Sequence, residues 1–191
     1  MNAEFITFMR NRRSQTKLVA PAPSEDDWKA ILSAACRAAD HGNLQPWRYC
    51  IYEGEGRNAL GEIYWQHALD EVPTMSLDKK PAFTKKAFRA PAILLVYAHI
   101  TEHAKVPAVE QIMAVSAAAQ LILLGLNALG YGAIWRSGPA CYTSKTKTLL
   151  SLQESDQIVG LIYAGTNEQN LDCDQTAKEV NLEPLLQWVR D

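Results

Sequence analysis

Apolar residues follow two different periods along this chain, and each change of period marks an element. Phe5, Ile6, Phe8 and Met9 give a short amphipathic helix that runs into Arg12-Arg13. Pro21 and Pro23 form a rigid connector, after which Ser24 is placed as an N-cap and Glu25, Asp26 and Asp27 suit the dipole of a first turn. Trp28, Ile31, Leu32, Ala35 and Ala38-Ala39 follow at helical spacing and predict a helix over Ser24–Ala39. It stops at Asp40-His41-Gly42-Asn43, a cluster of turn formers. From Trp47 the period is two: Trp47, Tyr49 and Ile51 alternate with Arg48, Cys50 and Tyr52, which predicts a strand closed by Gly54-Glu55-Gly56.

The helical period returns over Arg57–Leu69, with Leu60, Ile63, Tyr64 and His67 on one side. Residues 72–89 carry Pro73, Pro81, Lys79, Lys80, Lys85 and Lys86 and read as a surface excursion with one short helix. Pro91–Ala98 is a nearly unbroken apolar run of strand length, expected at the centre of a sheet. Pro107 suits the first turn of a long helix ending at Gly130. Ala133-Ile134-Trp135 and Ile158–Ala164 are two further strands, the second closed by Gly165-Thr166. In the tail, Leu182–Val189 carries Leu185, Leu186 and Val189 and is expected to dock as one helical turn or a strand. The order of elements indicates an α+β fold with a mixed sheet.

The helix over Pro107–Leu129 is apolar nearly all round, with Ala114, Ala117, Ala118, Ala119 and Gly125 among several leucines. Such a helix must be buried on most sides. Two solutions are open: a homodimer built around it, or a central core helix in a monomer.

A length of 191 residues sets one domain, 1–191, as the default. With 48% hydrophobic and 21% charged residues and a net charge of −2, the chain offers no basic excess for nucleic acid and no polybasic patch for a membrane. Met1–Arg10 lacks the long apolar core of a secretory signal. Ser116, Gln120 and Asn127 interrupt Ile112–Leu129, which argues against a membrane span. Cys36, Cys50, Cys141 and Cys173 are widely spaced and read as reduced thiols of a cytoplasmic protein.

Three segments have the composition of a ligand site. Arg12-Arg13-Ser14 puts two guanidiniums and a hydroxyl in sequence, able to bind one phosphate or a polar chain, or else simply to end a helix in water. In His41-Gly42-Asn43-Leu44-Gln45-Pro46-Trp47, Asn43 and Gln45 offer amides that complement the edge of a heteroaromatic ring, or an ordinary turn. Gly130-Tyr131-Gly132 leads into a strand whose far end offers Trp135, Arg136, Ser137 and Gly138; the glycines follow a helix and precede a strand, the reverse of a dinucleotide fingerprint. His99-Ile100-Thr101-Glu102-His103 matches an inverted zinc-peptidase pattern, but it follows directly on a buried strand and reads as a polar loop. Cys36 has no adjacent histidine and reads as core.

Arg12-Arg13-Ser14, Asn43-Leu44-Gln45-Pro46-Trp47 and Gly130-Tyr131-Gly132, in this order and spacing, resemble the signature of the nitroreductase-like family of flavin enzymes. Asp40-His41 and Ile134-Trp135-Arg136-Ser137-Gly138 resemble its short, compact branch of NAD(P)H nitroreductases. The resemblance implies a mixed, mostly antiparallel central sheet flanked by helices, dimeric around the long buried helix, with FMN at the interface of the homodimer. It implies that Arg12, Arg13 and Ser14 hold the phosphate, the ribityl chain and the flavin's polar edge. Trp135, Arg136 and Ser137 complete the same subunit's side, with the Ser137-Gly138 backbone near the flavin N5. Arg37 and His41, with Asn43 close by, come from the partner chain, and the family's nicotinamide dinucleotide segment falls on Gly125, Leu126, Asn127, Ala128, Leu129 and Gly130.

Two departures stand out. Asp40 and His41 replace two serines of typical members, and Gly165-Thr166-Asn167-Glu168 lacks the Gly-Tyr-Pro and nearby basic residue that help hold phosphate. The implied reaction is ping-pong: NADH or NADPH reduces FMN, which then reduces a nitroaromatic, a quinone or a similar small-molecule acceptor. No side-chain acid, nucleophile or metal is expected. Arg13 or Arg136 stabilises the reduced flavin. The alternatives are a low-turnover FMN carrier or redox sensor, and a reductive dehalogenase or flavin-fragmenting enzyme on the same fold.

Overall fold

The computed structural model describes residues 3–168 and 179–190, so Cys173 lies outside the described residues. The chain divides into two units, whose described parts are 3–12 with 179–190, and 13–168. In the first, α1 (Ala3–Asn11) stacks Phe5 on Phe8 with ring centroids 6.3 Å apart. Around Leu182–Val189 the chain makes a single turn, Leu185 N–H to the Leu182 carbonyl at 2.9 Å, with Leu182, Leu185, Trp188 and Val189 exposed.

The larger unit begins with β1 (Leu18–Val19), a two-residue strand with no sequence period to announce it. Helix α2 (Glu25–Ala35) starts where its N-cap was predicted. Ser24 Oγ accepts the Asp27 N–H at 3.2 Å, and the Asp27 carboxylate accepts the Ser24 N–H at 3.0 Å and its hydroxyl at 2.6 Å. Tyr131 also donates to Asp27 at 2.8 Å, tying the start of α2 to the entry of a later strand. The helix ends at Ala35 rather than Ala39, because Arg37 and Ala38 donate back three residues, to Ala34 and Ala35, and close a tight turn.

The remaining elements are β2 (Trp47–Glu53), α3 (Asn58–Glu71), α4 (Lys80–Thr84), β3 (Ala92–Ala98), α5 (Ala108–Ala128), β4 (Gly132–Arg136), α6 (Ser144–Leu149) and β5 (Gln157–Asn167). The predicted excursion over 72–89 holds α4 between 3-10 turns. Helix α6 was not predicted, since Ser144-Lys-Thr-Lys-Thr-Leu has no apolar period. Its anchors are the Thr143 cap on the Thr146 N–H and a buried Lys147, whose Nζ donates to the Glu154 carbonyl at 2.6 Å.

The sheet runs β1-β5-β3-β2, with β4 also paired to β5. Each of these pairings is antiparallel, so the expected mixed sheet is corrected to an antiparallel one among the described residues. A parallel pair would need a crossover returning in the same direction; here β2 and β3, joined through α3 and α4, return in opposite directions.

Strand β3 sits at the centre and divides the core. Ala92, Leu94, Val96 and Ala98 face one cluster with α2 and α5, whereas Ile93 and Leu95 face a second with Leu60 and Ile63 of α3. Gly125 lets α5 lie close on α2: a Cβ there would stand 3.0 Å from Ile31 Cγ2. A single chain buries one side of α5. Its length and composition would suit a membrane span, yet one face packs on α2 and the sheet while Val109 and Met113 are 58% and 64% exposed.

The capping box makes stability depend on pH. The Ser24 hydroxyl, followed by Tyr131, holds the Asp27 carboxyl below its ordinary value of 3.8. A lowered folded value contributes stability that is complete above the ordinary value and is lost as pH falls through the lowered one. Asp27→Asn is therefore expected to lower the urea midpoint at neutral pH, with the gap to wild type narrowing as pH falls below the ordinary carboxyl value. Ser24→Ala is expected to cost about 1 kcal/mol. A gap that stays constant across that pH range would contradict the assignment.

Candidate functional site

The site is built on an irregularity in the sheet. Val96 pairs with Gly160 and Tyr97 with Ile158, leaving Val159 as an extra residue on β5. The bulge frees the Val159 carbonyl, which accepts the Trp135 indole N–H at 3.2 Å. Gly160 has φ +159°, and a Cβ there would collide with the indole nitrogen and stand 2.9 Å from the Arg136 carbonyl oxygen. Only glycine leaves room for Trp135 at this crossing.

Where β4 ends, Trp135, Arg136, Ser137 and Gly138 line a cavity of about 610 Å³. Tyr64 and His67 of α3, Lys86 and Arg89 from the turn after α4, and Leu161 and Tyr163 of β5 line it too. The Tyr64 and Tyr163 hydroxyls are 2.6 Å apart. Burial, reinforced by the neighbouring Tyr163, pushes the Tyr64 phenol far above its ordinary value, and burial likewise raises Tyr163. Both are neutral phenols at physiological pH. The Arg136 guanidinium lies 5.7 Å from the Tyr163 ring centroid, and Lys86 Nζ lies 5.8 Å from that of Tyr64 and 4.6 Å from that of Phe83. Arg136 Nε and His67 Nδ1 are buried without a hydrogen-bond partner among the described residues. Among the described residues, the lining holds Lys86, Arg89 and Arg136 and no carboxylate.

The loop after α2 is organised by Asp40. Its carboxylate accepts the Gln45 N–H at 2.7 Å and its carbonyl the Asn43 N–H at 3.2 Å, holding Asn43 and Gln45 at φ 52° and 49°. Asp40 therefore has a structural role in this loop. His41 Nδ1 lies 2.6 Å from a Glu110 carboxylate oxygen, which joins the loop to the start of α5. His99 meets Asp156 at 2.8 Å, in a stretch between β3 and α5 that has no helix.

Of the residues singled out from sequence, Trp135, Arg136 and Ser137 line the cavity. Arg13 and Ser14 do not, but the next residue, Gln15, donates its N–H to the Ala133 carbonyl at 2.9 Å, on the strand that carries Trp135. Arg12 ends the first unit. Arg37, His41 and Asn43 are exposed and do not line the cavity. In the stretch expected to meet a dinucleotide, Gly125, Leu126, Asn127 and Ala128 are the last residues of α5, and Leu126 is fully buried while Gly125 faces Ile31. Leu129 and Gly130 close that helix.

Sequence reasoning missed Tyr64, His67, Lys86, Arg89 and Tyr163. Tyr64 and His67 were noticed on one helix face, but the lysines of 72–89 look like any solvated surface until the fold turns Lys86 inward.

The sequence matches the Nitroreductase family over residues 9–166. It is 38% identical over 162 residues to the Escherichia coli (strain K12) protein named "Putative NAD(P)H nitroreductase YdjA", across 84% of this chain and 87% of that one. Among solved structures, the nitroreductase-like family protein from Bacillus cereus superposes with a TM-score of 0.81 at 19% identity, over 97% of this chain and 96% of that one. The FMN-dependent nitroreductase NfnB from Mycobacterium smegmatis, in complex with NADPH, gives 0.74 at 15% identity, over 98% and 99%. At these identities the likeness between structures concerns the fold.

Gly160→Ala is expected to destabilise the protein by about 1–3 kcal/mol, as overpacking does, and to shift the tryptophan emission by displacing Trp135. Gly56→Ala, where a Cβ meets nothing within 4 Å, is the control. Equal urea midpoints for the two variants would contradict the packing assigned to Trp135.

Proposed function

The chain belongs to the nitroreductase family, and on that premise we propose that it is an FMN-dependent NAD(P)H oxidoreductase acting on a nitroaromatic, quinone or similar acceptor. One observation carries the reading: β4 delivers Trp135, Arg136 and Ser137 to a cavity of about 610 Å³ in which Arg136 Nε is buried and unpaired. That volume lies within the roughly 300–1,000 Å³ of small-molecule and cofactor sites. Aromatic surface, a fixed cation and main-chain groups beside Gly138 suit a flat, polar-edged heterocycle. The residues present therefore fit the cofactor.

Bound FMN would supply two-electron chemistry, accepting hydride from NADH or NADPH and passing the electrons to the acceptor. The net change for a nitro substrate is ArNO2 + NAD(P)H + H+ → ArNO + NAD(P)+ + H2O. Arg136 is assigned to the cofactor's electron-rich polar edge, where a positive charge in a partly dry site favours added negative charge. Trp135, hydrogen-bonded through its indole nitrogen, fixes the end of β4 that carries Arg136. Arg12, Arg13 and Ser14 are assigned to the phosphate and ribityl chain. No general acid is assigned, since burial raises both phenols of the Tyr64–Tyr163 pair and makes them weak proton donors.

The site is proposed to be completed by a second subunit. Arg37, His41 and Asn43 are exposed, and the outer side of α5 leaves Val109 and Met113 open to solvent. A homodimer would cover such apolar surface and bring these polar groups to the partner's cofactor. The described cysteines, Cys36, Cys50 and Cys141, are free thiols, which agrees with a reducing cytoplasmic compartment.

Purified protein supplied with FMN is expected to show the flavin absorption bands and to oxidise NADH or NADPH only when an acceptor is present. Arg136→Ala is expected to weaken FMN binding by about tenfold or more while retaining a cooperative urea transition. A colourless protein that takes up no FMN would overturn the proposal. A yellow protein with no acceptor-dependent oxidation would replace it with the carrier reading.

A further inference from the structure

We propose that the acceptor is an anionic aromatic compound, a nitro-substituted or quinoid ring bearing a carboxylate, and that Lys86 and Arg89 bind that carboxylate. The inference rests on the oxidoreductase reading above and names the substrate class of the same site.

The charge balance of the cavity is the starting point. Elsewhere in the larger unit, surface lysines meet carboxylates: Lys29 with Glu25, Lys80 with Glu62 and Lys145 with Asp70, at 2.6, 2.7 and 2.6 Å. Lys86 and Arg89 are in no such ion pair among the described residues, and no carboxylate lines the cavity they face. Aromatic rings hold Lys86 instead, Phe83 at 4.6 Å and Tyr64 at 5.8 Å. A ring face positions an ammonium without consuming its N–H groups, all of which remain able to donate.

The neighbouring hydroxyls cannot neutralise this charge, because Tyr64 and Tyr163 bond to each other and stay protonated. A concave, partly apolar wall carrying charge of one sign concentrates the opposite charge. The three cations also divide by origin. Arg136 ends β4 and is assigned to the cofactor, whereas Lys86 and Arg89 lie on the separate turn that follows α4. Tyr64, Leu161 and Tyr163 between them provide surface for a ring. The carboxylate itself stays unchanged: the nitro group takes two electrons and two protons, one arriving as the hydride of NAD(P)H and one from solvent, and leaves as nitroso and water.

An anion at Lys86 and Arg89 has a second possible source, the cofactor's phosphate, and the experiment separates the two. The flavin-loaded protein is given 4-nitrobenzoate and its neutral near-isostere 4-nitrobenzamide, with binding read by calorimetry and turnover by NAD(P)H oxidation. The expected result is a preference for the carboxylate of about tenfold or more in both Kd and kcat/KM, as for charge-assisted hydrogen bonds. The preference is expected to shrink as salt is raised. Lys86→Met and Arg89→Met should each reduce the ratio and the double variant should abolish it, whereas Lys145→Met leaves it unchanged. Because the ratio is taken within each variant, a loss of stability does not mimic the effect.

Equal affinity for the two compounds in the wild-type protein would overturn the proposal. So would loss of bound flavin in the double variant, which would give these cations to the cofactor's phosphate. If the protein takes up no flavin, the oxidoreductase reading fails instead, and the calorimetric ratio on the unloaded protein still decides whether the cation pair selects an aromatic carboxylate.

Discussion

The placement of Trp135 depends on a single crossing in the sheet. One extra residue, Val159, turns a carbonyl toward the indole, and the absence of a side chain at Gly160 leaves the space that the ring fills. Everything at the end of β4 follows from this contact. With the indole seated, Arg136 extends over the Tyr163 ring, and Ser137 and Gly138 leave the strand along the cavity rim. A regular ladder with a side chain at position 160 would push Trp135 away and carry Arg136 with it.

Around that crossing the two faces of the sheet have different tasks. The α2–α5 side is a dense core, with Gly125 against Ile31 and β3 contributing Ala92, Leu94, Val96 and Ala98. It gives the site a rigid backing. The α3 side is less complete, because its aromatic and cationic side chains leave the cavity open between them. The Tyr64–Tyr163 bond joins α3 to β5 across that space and holds the cavity wall in register with the strand. The dense core and the cavity thus lie on opposite faces, linked by the central strands.

Much of this architecture was legible from the order of residues. The N-cap at Ser24, the unbroken apolar run of β3 and the long helix α5 carry strong local signals, and the structure places them within a few residues of expectation. The segment Trp135-Arg136-Ser137 stood out because glycines and a short strand isolate it. Other features have no local signature. The pairing directions in a sheet depend on how distant segments meet, so the expected mixed sheet became antiparallel. Strand β1 is too short to show a period, and α6 depends on a cap and a buried lysine. Lys86 and Arg89 were hidden in a lysine-rich excursion, since only the fold shows which cations of such a stretch turn toward a cavity.

The most direct test is a crystal structure of the protein grown with FMN. The flavin ring is expected in the cavity at the end of β4, within hydrogen-bonding distance of Arg136 and the Ser137-Gly138 main chain. Flavin density at a site that excludes Arg136 would contradict the central assignment.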